Sequence, residues 1–171
     1  MSEPVVSHLP VLQVVVPLLV APLCVLLGNR PIARALVMAT AVIMFVITLL
    51  LLQGILEGEN SVYQLGGWAA PWGIEYRVDP LTVFVLLTIN LVHLLAAVFC
   101  MGRTDENIGK AGHAAFYAAW LLCIAGLNGM VVTNDAFNVF VFLEISSLST
   151  YVLISCGRDP KALLAAYRYL V

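Results

Sequence analysis

Long apolar runs separated by short polar connections set the layout of this chain. Five runs carry about the 20 mostly apolar residues that a helix needs to cross the hydrocarbon core of a bilayer: Leu9–Leu27, Ala33–Leu52, Leu81–Met101, Ala114–Val132 and Phe137–Cys156. A sixth helix is expected to begin at Lys161, where Ala162-Leu163-Leu164-Ala165-Ala166 turns apolar shortly before Val171. The pattern predicts an all-α, polytopic membrane helical bundle with five complete transmembrane helices plus the start of a sixth. Residues 1–171 read as a single transmembrane domain, with one long connection at 53–79. A secretory signal needs a basic flank before its apolar run. The first run has Glu3 on that side and no Lys or Arg, so it is expected to remain as a membrane helix.

Composition sharpens the class. Hydrophobic residues make up 62% of the chain and charged residues 11%, against about 25% charged in a soluble domain. The net charge of -2 and the scattered basic residues give nothing for nucleic acid to bind. The position of those basic residues is more informative. Arg30, Arg34, Arg103, Lys110, Arg158, Lys161 and Arg168 fall at alternate connections, and only Arg77 falls on the other side, beside Glu75 and Asp79 that could pair with it. The positive-inside rule makes the basic side cytoplasmic and puts the N-terminus and the 53–79 connection outside. The expected location is multi-pass in the cell inner (plasma) membrane, with the lipid bilayer as solvent.

Within 53–79 the run Gly66-Gly67-Trp68-Ala69-Ala70-Pro71-Trp72-Gly73 combines glycines that reach unusual backbone angles with tryptophans that prefer the headgroup level. It predicts a structured external cap with interfacial anchors, in preference to a quinone- or substrate-stacking site. No soluble catalytic signature appears. Cys24, Cys100, Cys123 and Cys156 fall in or at the end of different spans without a Cys-x-x-Cys pair, and are expected to be buried thiols. His8, His93 and His113 are isolated, and no glycine-rich phosphate loop is present. Neither a cofactor nor a metal is expected, so redox chemistry would belong to another subunit.

The polar residues inside the spans remain. Glu144 lies in the fifth run, where a carboxylate costs roughly 2.5–3.5 kcal/mol at a bilayer midplane and persists mainly where it faces protein and handles ions or protons. Helical spacing places Ser147, Tyr151 and Ser155 on its stripe, able to order water toward the cytoplasmic end, while Phe140 and Phe137 make the outward continuation apolar. The serines also fit a simpler role in helix packing. In the third run Asp79, Thr82, Asn90 and His93 share a broad face, with His93 a possible proton relay or a hydrogen-bonding packing residue. In the fourth, Ala125, Gly126, Asn128 and Gly129 form a small-residue surface for close helix contact.

The segments Leu65-Gly66-Gly67-Trp68, Pro71-Trp72-Gly73-Ile74-Glu75 and Val78-Asp79-Pro80-Leu81, with the run from Gly129 to Ser149 that contains Phe142-Leu143-Glu144-Ile145-Ser146-Ser147-Leu148, resemble the D-type membrane subunit of Mrp-type monovalent cation/proton antiporters. That protein is related to the antiporter-like subunits of complex I and membrane-bound hydrogenases. The resemblance covers nearly the whole chain and departs at Leu143, where many members carry an aromatic residue. It implies that Glu144 is the fifth-helix glutamate that pairs with a lysine on a broken seventh helix. An opposite charge within about 4–6 Å favours the ionised carboxylate, and separating the pair favours proton uptake. It also implies partners in a hetero-oligomeric antiporter complex, with protons and monovalent cations, sodium foremost, as the transported species. Family subunits are expected to have fourteen helices in inverted repeats, so the chain is expected to be an N-terminal portion that lacks the lysine helix. The alternatives are the equivalent piece of a proton-pumping subunit in a complex I-like NADH-quinone oxidoreductase or membrane-bound hydrogenase, and a short membrane scaffold without transport.

Overall fold

The computed structural model describes residues 8–58, 61–68, 72–100, 108, 112–157 and 159–170. Glu3, Glu59, Ala69, Ala70, Pro71, Met101, Arg103, Lys110, Arg158 and Val171 lie outside the described residues. Among the described residues six α-helices and a two-stranded hairpin follow one another in the order α1 (Leu9–Leu27), α2 (Arg30–Leu56), β1 (Ser61–Gln64), β2 (Glu75–Val78), α3 (Pro80–Cys100), α4 (His113–Val132), α5 (Ala136–Ser155) and α6 (Pro160–Leu170). Of these, α1 to α5 are long and apolar enough to cross a membrane. Their limits differ from the sequence expectation mainly in α2, which runs on through Gln53-Gly54-Ile55-Leu56 into the expected connection.

Helix starts follow local chemistry. Pro80 and Pro160 open α3 and α6, where a missing N–H costs nothing because the first turn has no intrahelical acceptor for it. Asp79 precedes α3 and its carboxylate accepts the Thr82 amide at 2.8 Å. That amide, followed by the Thr82 hydroxyl, holds the Asp79 carboxyl below the usual carboxylate range. Asp135 caps α5 through the Phe137 amide at 3.1 Å.

The long connection folds as expected of a structured cap. Strands β1 and β2 pair antiparallel with Ser61 opposite Val78 and Gln64 opposite Glu75. Gly66 (φ 66°) and Gly67 (φ 75°) make the turn out of β1 in the left-handed region that glycine enters without a Cβ penalty. Trp68 and Trp72 are exposed and flank an open groove of about 440 Å³ with Leu65, Gly73 and Ile74. Arg77 forms an ion pair with neither Glu75 nor Asp79, the two acids beside it in the sequence. Glu75 instead accepts from Asn134 at 3.0 Å, and Arg77 acts on Asp79 only as a weaker, longer-range charge.

Two apolar clusters fill the bundle. One joins Cys24, Val37, Ala41, Ala97, Tyr117 and Leu121, and the other joins Leu9, Ile47, Tyr76, Leu86, Val132 and Phe142 beneath the hairpin. Of the four cysteines only Cys24 is buried; Cys100, Cys123 and Cys156 are half-buried, which corrects the expectation of four buried thiols. At the other end of the bundle from the hairpin, Ile108 bridges Gly157, so the third and fifth connections meet there.

Candidate functional site

Glu144 stands near the middle of α5, and the packing of α4 against α5 decides which way it points. Phe142, Ser146 and Ser149 are the buried side chains of this stretch. They lie on the small-residue surface of α4. A methyl group at Gly129 would come within 2.5 Å of the Phe142 ring, and one at Gly126 within 2.7 Å of the Phe142 carbonyl oxygen and the Ser146 amide. Two glycines one turn apart thus let the backbones approach closely, the role foreseen for this surface. At about 100° per residue, Glu144 lies about 200° around α5 from Phe142. It is exposed on the face opposite α4.

Within the described helices the carboxylate faces out, because Phe142 and Ser146 claim the close-packed interface along the middle of α5. Ser147, Tyr151 and Ser155 continue its stripe as half-buried residues. Ser155 donates to the Val152 carbonyl at 2.8 Å. Glu144, Ser147 and Tyr151 make no side-chain hydrogen bond to another described residue. The hydroxyls that do engage are on the inner side: Ser146 donates to the Leu143 carbonyl at 3.0 Å, and Thr150 to the Ser146 carbonyl at 2.8 Å.

His93 is not brought to Glu144. It is buried on α3 with its ring tilted against Trp120 of α4, centroids 6.0 Å apart, and neither ring nitrogen has a hydrogen-bond partner among the described residues. Trp120 and Gly129 are nine residues apart, about 180° around α4. His93 therefore touches the side of α4 that faces away from α5, and Glu144 is on the far side of α5.

A polar cluster not foreseen from the sequence lies inside the bundle. Gln13, Thr48, Asn90 and Asn128, from four different helices, are all fully buried. Gln13 Nε2 donates to Thr48 Oγ1 at 2.8 Å, and Asn90 Nδ2 to the same oxygen at 3.0 Å. Asn128 Nδ2 donates to Asn90 Oδ1 at 3.2 Å, and Thr48 Oγ1 to the Met44 carbonyl at 2.9 Å. Pro17 has no N–H, so the Gln13 carbonyl four residues earlier loses its helical donor; Asn128 Nδ2 lies 3.5 Å from that oxygen. The signal was present as neutral amides in apolar runs, with a proline four residues after one of them. Among the described residues no group of three or more His, Cys, Asp or Glu side chains is placed to hold a metal.

No family model matches the chain. The N-type subunit of the NADH-quinone oxidoreductase of Desulforudis audaxviator is 40% identical over 172 residues, covering 96% of this chain and 33% of that protein. A D-type component named for a K(+)/H(+) antiporter in Rhizobium meliloti is 32% identical over 171 residues, covering 96% of this chain and 31% of its own length. The chain is homologous to the antiporter-like membrane subunits. A solved structure of the Mrp complex from Dietzia sp. DQ12-45-1b contains a chain of the same fold: TM-score 0.81 at 26% identity, over 99% of this chain and 31% of that one. The chain spans about a third of the length of the curated relatives it matches.

Proposed function

We propose that this chain is part of the membrane subunit of a monovalent cation/proton antiporter, in which Glu144 carries the proton. The observation behind the reading is a carboxylate near the middle of an apolar helix, on the face turned away from the close α4 contact and without a partner among the described residues. A basic group from a helix beyond those described would dock against that face. With the pair closed the carboxylate is held as an anion, and with the pair open it takes up a proton, so pair switching gates proton movement. Ser147 and Tyr151 would order water from Glu144 toward the cytoplasmic end. His93 is left with a packing role or a separate one. Arg30, Arg34, Lys161 and Arg168 mark the cytoplasmic end and the hairpin the outer one, in the cell inner membrane and within a complex of several subunits.

The test is Glu144→Gln in the native, full-length polypeptide and its complex, with proton movement followed by a pH-sensitive dye in everted vesicles after sodium or potassium is added. Loss of cation-driven proton movement with the complex still assembled supports the reading. A wild-type rate overturns it and leaves the scaffold alternative. The response to each salt identifies the cation, for which sodium is the expectation from the resemblance.

The 40% identity to a subunit named for NADH-quinone oxidoreduction favours a second reading, proton pumping driven by a redox arm. The same vesicles separate the two: proton movement that needs NADH and ignores added cation belongs to the second.

A further inference from the structure

The cap reaches the Glu144 helix through one edge. Tyr76 of β2 bridges Thr133 in antiparallel fashion, the Asn134 amide donates to the Glu75 carbonyl at 2.9 Å, and Asn134 Nδ2 donates to Glu75 Oε1 at 3.0 Å. The next residue, Asp135, is the cap of α5. Strand β2 also runs through Asp79 straight into α3, and β1 reaches the start of α1 through the Tyr63 hydroxyl, 3.1 Å from His8 Nδ1. One hairpin therefore holds the same end of three spans.

Two of the contacts of α5 act at different heights. The glycine surface of α4, with Phe142 and Ser146 seated on Gly126 and Gly129, sets which way the middle of α5 faces. Hydrogen bonds to the hairpin hold its head. Glu144 lies nine residues from Asp135, about 13.5 Å along a rigid rod, so rotation at the head carries the carboxylate with it. We infer that Glu75 and Asn134 are a positioning pair that clamps the outer end of the Glu144 helix to the hairpin and so helps to keep the rotation that the packing on α4 sets. The consequence for transport, though not the clamp itself, rests on the reading of Glu144 given above.

The experiment uses the native polypeptide in its complex and reads amide hydrogen exchange over residues 133–139 alongside proton movement. Glu75→Ala removes the side-chain bond and is expected to speed exchange there about three- to tenfold, as for one lost hydrogen bond of ordinary strength at an exposed site, and to slow transport. Glu75→Gln keeps an acceptor for Asn134 Nδ2 and is expected to restore both. Asn134→Asp alone sets two carboxylates together and is expected to loosen the segment, and Glu75→Gln combined with Asn134→Asp to tighten it again with donor and acceptor exchanged. Unchanged exchange in both Glu75→Ala and Asn134→Asp overturns the clamp, as does failure of the exchanged pair to rescue. Faster exchange with undiminished transport overturns its positioning role. If Glu144→Gln proves silent while the exchange pattern holds, the clamp stands and the assignment of Glu144 falls.

Discussion

Replacing Asn90 by leucine tests whether the buried amide cluster holds the bundle together. The side chain donates to Thr48 Oγ1 at 3.0 Å and accepts from Asn128 Nδ2 at 3.2 Å, with a longer approach to Gln13 Oε1 at 3.4 Å. Leucine removes these three together with a 3.5 Å approach to Asn128 Oδ1, and leaves Asn128 Nδ2 with only the 3.5 Å approach to the Gln13 carbonyl. Interhelical hydrogen bonds in membranes average about 0.6 kcal/mol and reach about 1.7, so two good bonds and a stranded donor amount to about 2 kcal/mol. Gln13→Leu should cost less, about 1 kcal/mol. Thr48 Oγ1 keeps its bond from Asn90, and the Gln13 main-chain carbonyl stays in place for Asn128. Thr88→Val is the control, because Thr88 is exposed on the same helix and donates only to its own Phe84 carbonyl. Reversible unfolding of the native polypeptide in micelles should rank the losses Asn90→Leu, Gln13→Leu, Thr88→Val. The double variant should fall short of the sum, since the two residues share a bond. A Gln13→Leu loss as large as that of Asn90→Leu, or strict additivity, would refute the network.

Three further expectations follow from particular contacts. Gly126→Ala should cost about 1–3 kcal/mol by overpacking, because the added methyl meets the Phe142 carbonyl and the Ser146 amide, which are backbone and cannot yield. Gly129→Ala, whose added methyl has the Phe142 ring as its nearest neighbour, should be relieved by Phe142→Leu, with thermal unfolding as the measure. Asp79, whose carboxyl is held below the usual range by Thr82, should stabilise the fold fully above the pH at which an unfolded aspartate titrates, about 4. That stability should be lost as pH falls through the lower folded value. Melting curves between pH 6 and pH 3 should therefore show a smaller acid-induced drop for Asp79→Asn than for the parent.

The spans were legible because length and apolarity alone define a membrane helix, and the starts expected at Leu81, Phe137 and Lys161 each fall one residue after the observed start at Pro80, Ala136 and Pro160. The hairpin was foreseen only as a cap. Four-residue strands carry too little alternation to announce themselves, and their register depends on Ser61 meeting Val78 across an intervening turn. The amide cluster escaped for a different reason. Each of its members is unremarkable in its own helix, and only four-helix packing turns Gln13, Thr48, Asn90 and Asn128 into one network. The orientation of Glu144 was likewise beyond a helical wheel, which shows that it opposes Phe142 without saying which of them meets α4. The glycines of α4 settle that, and their spacing was visible in advance.

On the outer face of α5, cost and exposure disagree. Inside the bundle the amides of the cluster find one another, each bond worth about 0.6–1.7 kcal/mol. Glu144, left against lipid, would cost roughly 2.5–3.5 kcal/mol, more than any one of those bonds returns. A face carrying that cost should be covered by protein or by water in the assembled subunit, unlike the outer face of α3, where Phe84, Val92, Leu95 and Phe99 are exposed and the one polar side chain among them, Thr88, gives its hydroxyl to the Phe84 carbonyl. Leu148 lies four residues from Glu144 on the same side of α5 and is 53% exposed; Val92 of α3 is 59% exposed. Spin labels at Leu148→Cys and Val92→Cys, read by collision with oxygen dissolved in the bilayer, should therefore part company in the native complex despite their matched exposure in this chain. Strong oxygen contact is expected at 92 and little at 148. Equal contact at both positions would mean that α5 faces lipid, and the proposal that Glu144 meets a basic partner there would fail with it.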